Sequence, residues 1–314
     1  MPKRRGNFGL LRSFRCYYPS WGGMFSLLLL LLAGALVGAA VQYAAGSWLG
    51  PYATLVTYVL MFIPPMLFAA ACSARRELLL EPCELDRPQF RPLGAGTAVL
   101  IAVTATVAAG FIADAGMLLL PPMPDWLERA LKEMTQGKLL VNFLSVCIAA
   151  PFFEEWLCRG MVLRGLLRNK VGPAVAIPVS ALFFALIHFN PWQALPAFLI
   201  GCLMGWVYWR TGSLKLTMLM HFVNNGLALF ASRLPGMDSA SSWADVMPTG
   251  LYIAVVAFST VIVLAGFLAF YRVGPEWKGD WSVAGYPLRP FTRIGLRSNR
   301  EQRISDTDSP SIPG

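Results

Sequence analysis

Glu154 and Glu155 stand side by side in the run IAAPFFEEWLCRGMVLRGLL, with aromatic and aliphatic residues on both sides. Few other side chains could do chemistry in such company. The chain has only two histidines, His188 in SALFFALIHFNP and His221 in LTMLMHFVNNGLALF. A helix through the first run sets Glu155 and Arg159 one turn apart, where an ion pair forms readily. Glu154 points about 100° away with no local cation, and such a carboxylate suits general acid–base work. His188 follows Phe184 by one turn. His221 precedes Asn225 by one turn, so both share a helix face, whereas Asn224 is turned off it. A Glu near a His can hold and deprotonate a water that attacks a peptide carbonyl. A second His with an Asn amide can donate hydrogen bonds to the oxyanion that develops. Those are the parts for amide hydrolysis.

The elements that must position these residues follow from composition. The chain is 56% hydrophobic and 14% charged, against about 25% charged in a soluble domain. The predicted fold class is therefore all-α, a polytopic membrane protein with about eight transmembrane helices. A bilayer core requires roughly 20 apolar residues per helix. Eight stretches approach or meet this, near 22–45, 52–72, 96–120, 139–158, 173–189, 194–209, 216–232 and 250–271. The first is too long for a signal-peptide core and reads as an uncleaved span. Lys and Arg divide 22 to 4 between the two sides of these spans, which puts both termini in the cytoplasm of a multi-pass cell-membrane protein. The net charge of +9 therefore points to the membrane, with no nucleic-acid partner. Tyr17, Tyr18, Trp21, Tyr208 and Trp209 are predicted at the inner interface, and Trp48, Tyr52 and Trp192 at the outer one. Residues 122–136 read as an amphipathic helix on the outer surface, with Trp126, Leu127, Ala130, Leu131 and Met134 toward lipid. Five parts result: a basic cytoplasmic segment 1–21, three spans and the outer helix in 22–138, a four-span core 139–232, a last loop and span 233–272, and a flexible cytoplasmic tail 273–314. Gly34/Gly38 and Gly201/Gly205 are helix-packing candidates. The six cysteines form no CxxC pair, so neither a disulfide scaffold nor a zinc knuckle is indicated.

Ionisable groups inside spans default to function. Of the carboxylates, Asp114, Glu154 and Glu155 fall within apolar stretches; Asp114 lies near a span end and reads as structural. Glu155 and Arg159 also have a structural reading, as a buried bridge that positions the helix. Both histidines lie in spans beside the Glu pair, which favours one shared polar site. No HExxH motif, GxSxG elbow or second intramembrane Asp is present to support another protease design.

In order, EExxxR (Glu154, Glu155, Arg159), FxxxH (Phe184, His188) and HxxxN (His221, Asn225) resemble the three motifs of the CAAX-processing and bacteriocin-processing (CPBP, or Abi) family of intramembrane proteases. The resemblance covers residues 139–232. It implies a glutamate-dependent endopeptidase acting on membrane-anchored or lipidated protein or peptide substrates, with a chamber open to the cytoplasm. By position, Glu154 and His188 would activate water, His221 and Asn225 would stabilise the oxyanion, and Glu155 and Arg159 would support the site. No cofactor is required on this reading. A zinc-dependent version, with Glu154, His188 and His221 as ligands, is the alternative, since zinc takes N, O or S donors. A proton-relay carrier and a non-catalytic immunity or scaffold protein are the other classes; no inverted repeats support the first.

Depth poses a difficulty. From the cytoplasmic side, Glu154 and His221 lie about 8 and 9 Å deep, but His188 about 22 Å. The three meet only if a helix tilts, breaks or sits deeper than drawn. Extending the Glu helix to Leu167 sinks Glu154 to about 20 Å, but buries Arg159 and Arg164 and strands His221.

Overall fold

A computed structural model describes residues 9–78, 80, 82–234 and 242–273. Every regular element among them is helical. Helix α1 (Trp21–Leu49), capped by Ser20, folds back through Gly50–Tyr52 onto α2 (Ala53–Arg76). The two lie close because α1 offers glycines: a Cβ on Gly34 would sit 2.3 Å from the Met61 carbonyl oxygen, and one on Gly38 2.9 Å from that of Thr57. Helix α3 (Ala95–Met117) buries an alanine stripe, Ala98, Ala102, Ala105, Ala109 and Ala113, against α7 and α9. Helix α4 (Asp125–Gln136) leads into α5 (Leu139–Arg168). Then come α6 (Pro173–Leu186), α7 (Pro191–Thr211), α8 (Leu214–Ala231) and α9 (Thr249–Tyr271). Trp21–Arg76, Ala95–Met117, Leu139–Arg168 and Thr249–Tyr271 are long and apolar enough to cross a membrane. Large apolar side chains on α9, among them Ile253, Phe258, Val261 and Leu268, are exposed, as lipid-facing groups are. The described residues thus form an all-helical fold with four candidate membrane spans. The 3-residue connection η (Trp243–Asp245) is tied to Asp114, which accepts from Ser242 Oγ at 2.8 Å and Tyr252 Oη at 2.8 Å, a structural use of that carboxylate.

Several expectations change. Helix α5 does not end near Cys158; it continues to Arg168, so Arg159, Arg164 and Arg168, counted above as loop residues, belong to a buried helix. Two π-helical stretches, Phe143–Ala149 and Trp156–Leu163, flank the α-helical turn that carries the glutamates. Such widened turns are frequent at functional sites. Tyr17, Tyr18 and Tyr208 are buried within the protein. Leu127 of the amphipathic helix is buried too, while Trp126 is exposed. The side chain of Met134, residues 1–8 and the tail from 274 onward lie outside the described residues.

Arg164 explains why so much of the N-terminal segment is buried. Its guanidinium donates to the carbonyls of Phe14, Tyr17, Cys83 and its own Gly160, at 3.1, 2.8, 2.7 and 2.7 Å. A buried arginine is tolerable only when its donors are met in this way. The hydrogen bonds fasten residues 14–17 and the α2–α3 connection onto α5, where Phe14 also packs edge-on to Trp156 at 5.1 Å. The same connection covers the α7–α8 turn: Arg87 and Gln89 amides donate to Gly212 and Thr211 carbonyls, and Tyr208 donates to Leu85, at 2.8, 2.8 and 2.7 Å. Thr211, Ser213 and Leu214 are consequently almost fully buried.

These facts resolve the depth mismatch. Measured from the α5–α6 turn, Glu154 and His188 lie about 21 and 22 Å along antiparallel helices. Ser180 Oγ, donating to the Cys158 carbonyl at 2.8 Å, fixes that register. His221 is only about 10 Å into α8, but its turn starts deep, beneath residues 85–89.

Candidate active site

Glu155 and Arg159 form the expected one-turn pair, Nη1 to Oε1 at 2.6 Å, with neither side chain exposed. Arg159 also donates from Nη2 to the Gly201 carbonyl at 2.9 Å and lies 4.8 Å over the Phe184 ring. The carbonyl is reachable because α6 and α7 approach closely there: a Cβ on Gly201 would be 3.1 Å from Ala181 Cβ. The second glycine pair therefore also serves packing, Gly205 lying against Ile177.

His221, on α8, stands between the two glutamates. Its Nδ1 is 3.1 Å from Glu155 Oε1 and its Nε2 is 3.7 Å from Glu154 Oε2. With Glu155 accepting at Nδ1, the ring is oriented so that Nε2 faces Glu154. The Glu154 carboxylate is asymmetric. Oε1 accepts from Tyr58 Oη at 2.5 Å, while Oε2 is buried with no hydrogen-bond partner. Among the described residues, the ion-pair partner of Glu154 is His221, with no Lys or Arg within 4.0 Å.

His188 joins through Phe184. The rings of His188 and His221 both meet Phe184 nearly perpendicularly, at 5.1 and 5.4 Å between centroids. Nδ1 of His188 is 2.8 Å from the Phe184 carbonyl, which makes it the protonated nitrogen and leaves Nε2 as the acceptor. Directly after His188 the backbone reverses: Phe189 adopts φ +56°, and Asn190 caps α7 by accepting from the Gln193 amide at 2.9 Å. This is the irregular backbone that the HFNP sequence permits.

Asn225 donates through Nδ2 to the Val146 carbonyl at 2.8 Å, in the first π-helical stretch, and accepts from Asn224 at 3.1 Å. One N–H of its amide is left over. The structure thus brings Glu154, Glu155, Arg159 and His221 into direct contact, His188 alongside across one aromatic ring, and Asn225 one turn along α8. Tyr58 was missed. Its hydroxyl sits some way inside an apolar stretch, and that was the available signal.

Among the described residues, no three His, Cys, Asp or Glu side chains converge as metal ligands do. The donor set as arranged does not supply three ligands to a zinc ion.

Chemically, the arrangement offers a carboxylate with one bare oxygen, an imidazole facing it, and amide and imidazole N–H donors nearby in a water-poor interior. Residues 136–227 match the family model described as Type II CAAX prenyl endopeptidase Rce1-like. No curated protein and no solved structure matches the chain. Residues 136–227, which carry all of the site but Tyr58, are therefore a domain of the Rce1-like type II CAAX prenyl endopeptidase family, and that membership implies intramembrane protease activity.

Proposed function

We propose that this protein is a glutamate-dependent intramembrane endopeptidase that hydrolyses peptide bonds of membrane-anchored or lipidated protein or peptide substrates. The observation that carries the reading is the bare Glu154 Oε2 facing His221 Nε2 across 3.7 Å. A water about 2.8 Å from both atoms spans that gap in a bent bridge. In the reaction, Glu154 takes a proton from this water as its oxygen attacks the scissile carbonyl, with His188 assisting from across Phe184. The oxyanion of the tetrahedral intermediate receives hydrogen bonds from His221 and from the second amide N–H of Asn225. Glu154 then gives its proton to the leaving nitrogen as the C–N bond breaks, releasing a carboxylic acid and an amine. Glu155 and Arg159 hold His221 in position. The mechanism needs no metal.

On this reading the chain makes eight spans, with α5–α6, α7–α8 and both termini at the cytoplasmic side of the cell membrane. Arg12, Arg15, Arg75, Arg76, Lys170 and Lys215 lie in the segments at that end of their helices, which supports it. The test is cleavage of a quenched fluorescent lipopeptide by protein reconstituted in liposomes. Glu154→Gln should lower kcat about 100-fold or more while the thermal melt stays in place; retained cleavage refutes the assignment.

A further inference from the structure

We infer that Tyr58 is a positioning residue for the proposed hydrolysis: its phenol holds one oxygen of Glu154 so that the other faces the reacting water. The inference rests on the reading of Glu154 as the base.

A glutamate carboxylate rotates about its last torsion in a broad, two-fold well. Glu155 is restrained by Arg159 and His221, but Glu154 has no such cation. Among the described residues its one hydrogen bond comes from Tyr58 Oη to Oε1, and Oε2 is left buried and unpartnered, 3.7 Å from His221. A donor on one oxygen decides which oxygen is presented.

Tyr58 is itself held firmly. Its ring packs on Phe62 at 5.4 Å, and Phe62 stacks at 5.1 Å on Phe153, the residue before Glu154. Gly38 seats against Thr57 and Gly34 against Met61, on either side of Tyr58, so the α1–α2 hairpin is locked at that level. A ring placed only to fill space would not need its hydroxyl aimed at a carboxylate. Tyr58 lies outside the 136–227 match, so the catalytic domain borrows this group from another part of the chain.

The test uses full-length protein in liposomes. Tyr58→Phe keeps the ring and removes the hydroxyl; kcat should fall roughly 10- to 100-fold, the range for a hydrogen bond to a charged group, with KM unchanged. In Tyr58→Ala, added phenol should restore kcat, and benzene should not. Rescue by benzene as complete as by phenol would reduce Tyr58 to packing and overturn the inference. If Tyr58→Ala fails to fold, Tyr58→Phe decides alone. Wild-type kcat in Tyr58→Phe with Glu154→Gln inactive sinks this inference and leaves the base intact. Activity in Glu154→Gln sinks the base itself.

Discussion

Consider replacing Arg159 by methionine. In the native protein its guanidinium meets Glu155 at 2.6 Å and the Gly201 carbonyl at 2.9 Å, with both members of the ion pair wholly buried. Methionine fills most of the volume but leaves Glu155 in the protein interior without its cation, and the Gly201 carbonyl loses the Arg159 donor. Removing one partner of such a pair costs about 3–5 kcal/mol. For a protein of this size that lowers Tm by roughly 5–10 °C. The double variant Arg159→Met/Glu155→Gln no longer buries the charges of this pair, and pairs of this kind replaced by uncharged groups are often close to neutral. It should therefore melt above the Arg159→Met single. The assay is thermal unfolding in detergent of wild type, both singles and the double, with cleavage measured in parallel. The double should stay slow, because Glu155 Oε1 also orients His221 Nδ1 at 3.1 Å. Strictly additive melts, or an Arg159→Met protein as stable as wild type, would refute the claim that the pair is buried and coupled.

Gly34→Ala should be disproportionately harmful for one methyl group on a membrane helix. Its Cβ would meet the Met61 backbone, at 2.3 Å from the carbonyl oxygen, so the α1–α2 hairpin must part; overpacking of this kind costs about 1–3 kcal/mol. Because Tyr58 moves with α2, kcat should fall as well, and full activity with an unchanged melt would count against the close seat. Arg164→Ala removes the hydrogen bonds it donates to the carbonyls of Phe14, Tyr17 and Cys83, and a hydrogen bond from a charged donor contributes about 1.5–3 kcal/mol. Limited proteolysis should then cut within residues 9–20 or 80–94 far faster than in wild type, and equal resistance would show that other contacts hold those segments.

The candidate site residues are legible because they are rare. In an apolar chain, two histidines and a Glu pair advertise themselves, and motif spacing orders them on helix faces. The ends of α5 were not legible, for a physical reason. Charge counting sorts arginines by whether they avoid lipid, and it cannot see an arginine whose donors are consumed by backbone carbonyls, as with Arg164. The same blindness put Tyr17, Tyr18 and Tyr208 at the interface, where amphipathic rings usually belong. Tyr208 is instead buried because its hydroxyl has found the Leu85 carbonyl. The depth of His221 failed on similar grounds: helix rise gives distance from a turn, and only tertiary contacts say how far that turn has been sunk. Tyr58 carried no motif. A tyrosine in TLVTYVLMF is ordinary until the fold sets it against Glu154.

The fastening of the N-terminal strap and the α2–α3 connection by Arg164 has a consequence for how the molecule can be divided. Excised on its own, the stretch 136–227 would present an arginine with no acceptors beyond its own helix and a turn stripped of its lid. Its glutamate would also lack the phenol that steadies it. The hydrolytic apparatus is thus dispersed along the polypeptide, and regions remote from its recognisable motifs are integral to it. Any minimal version of this protein has to begin upstream of Phe14.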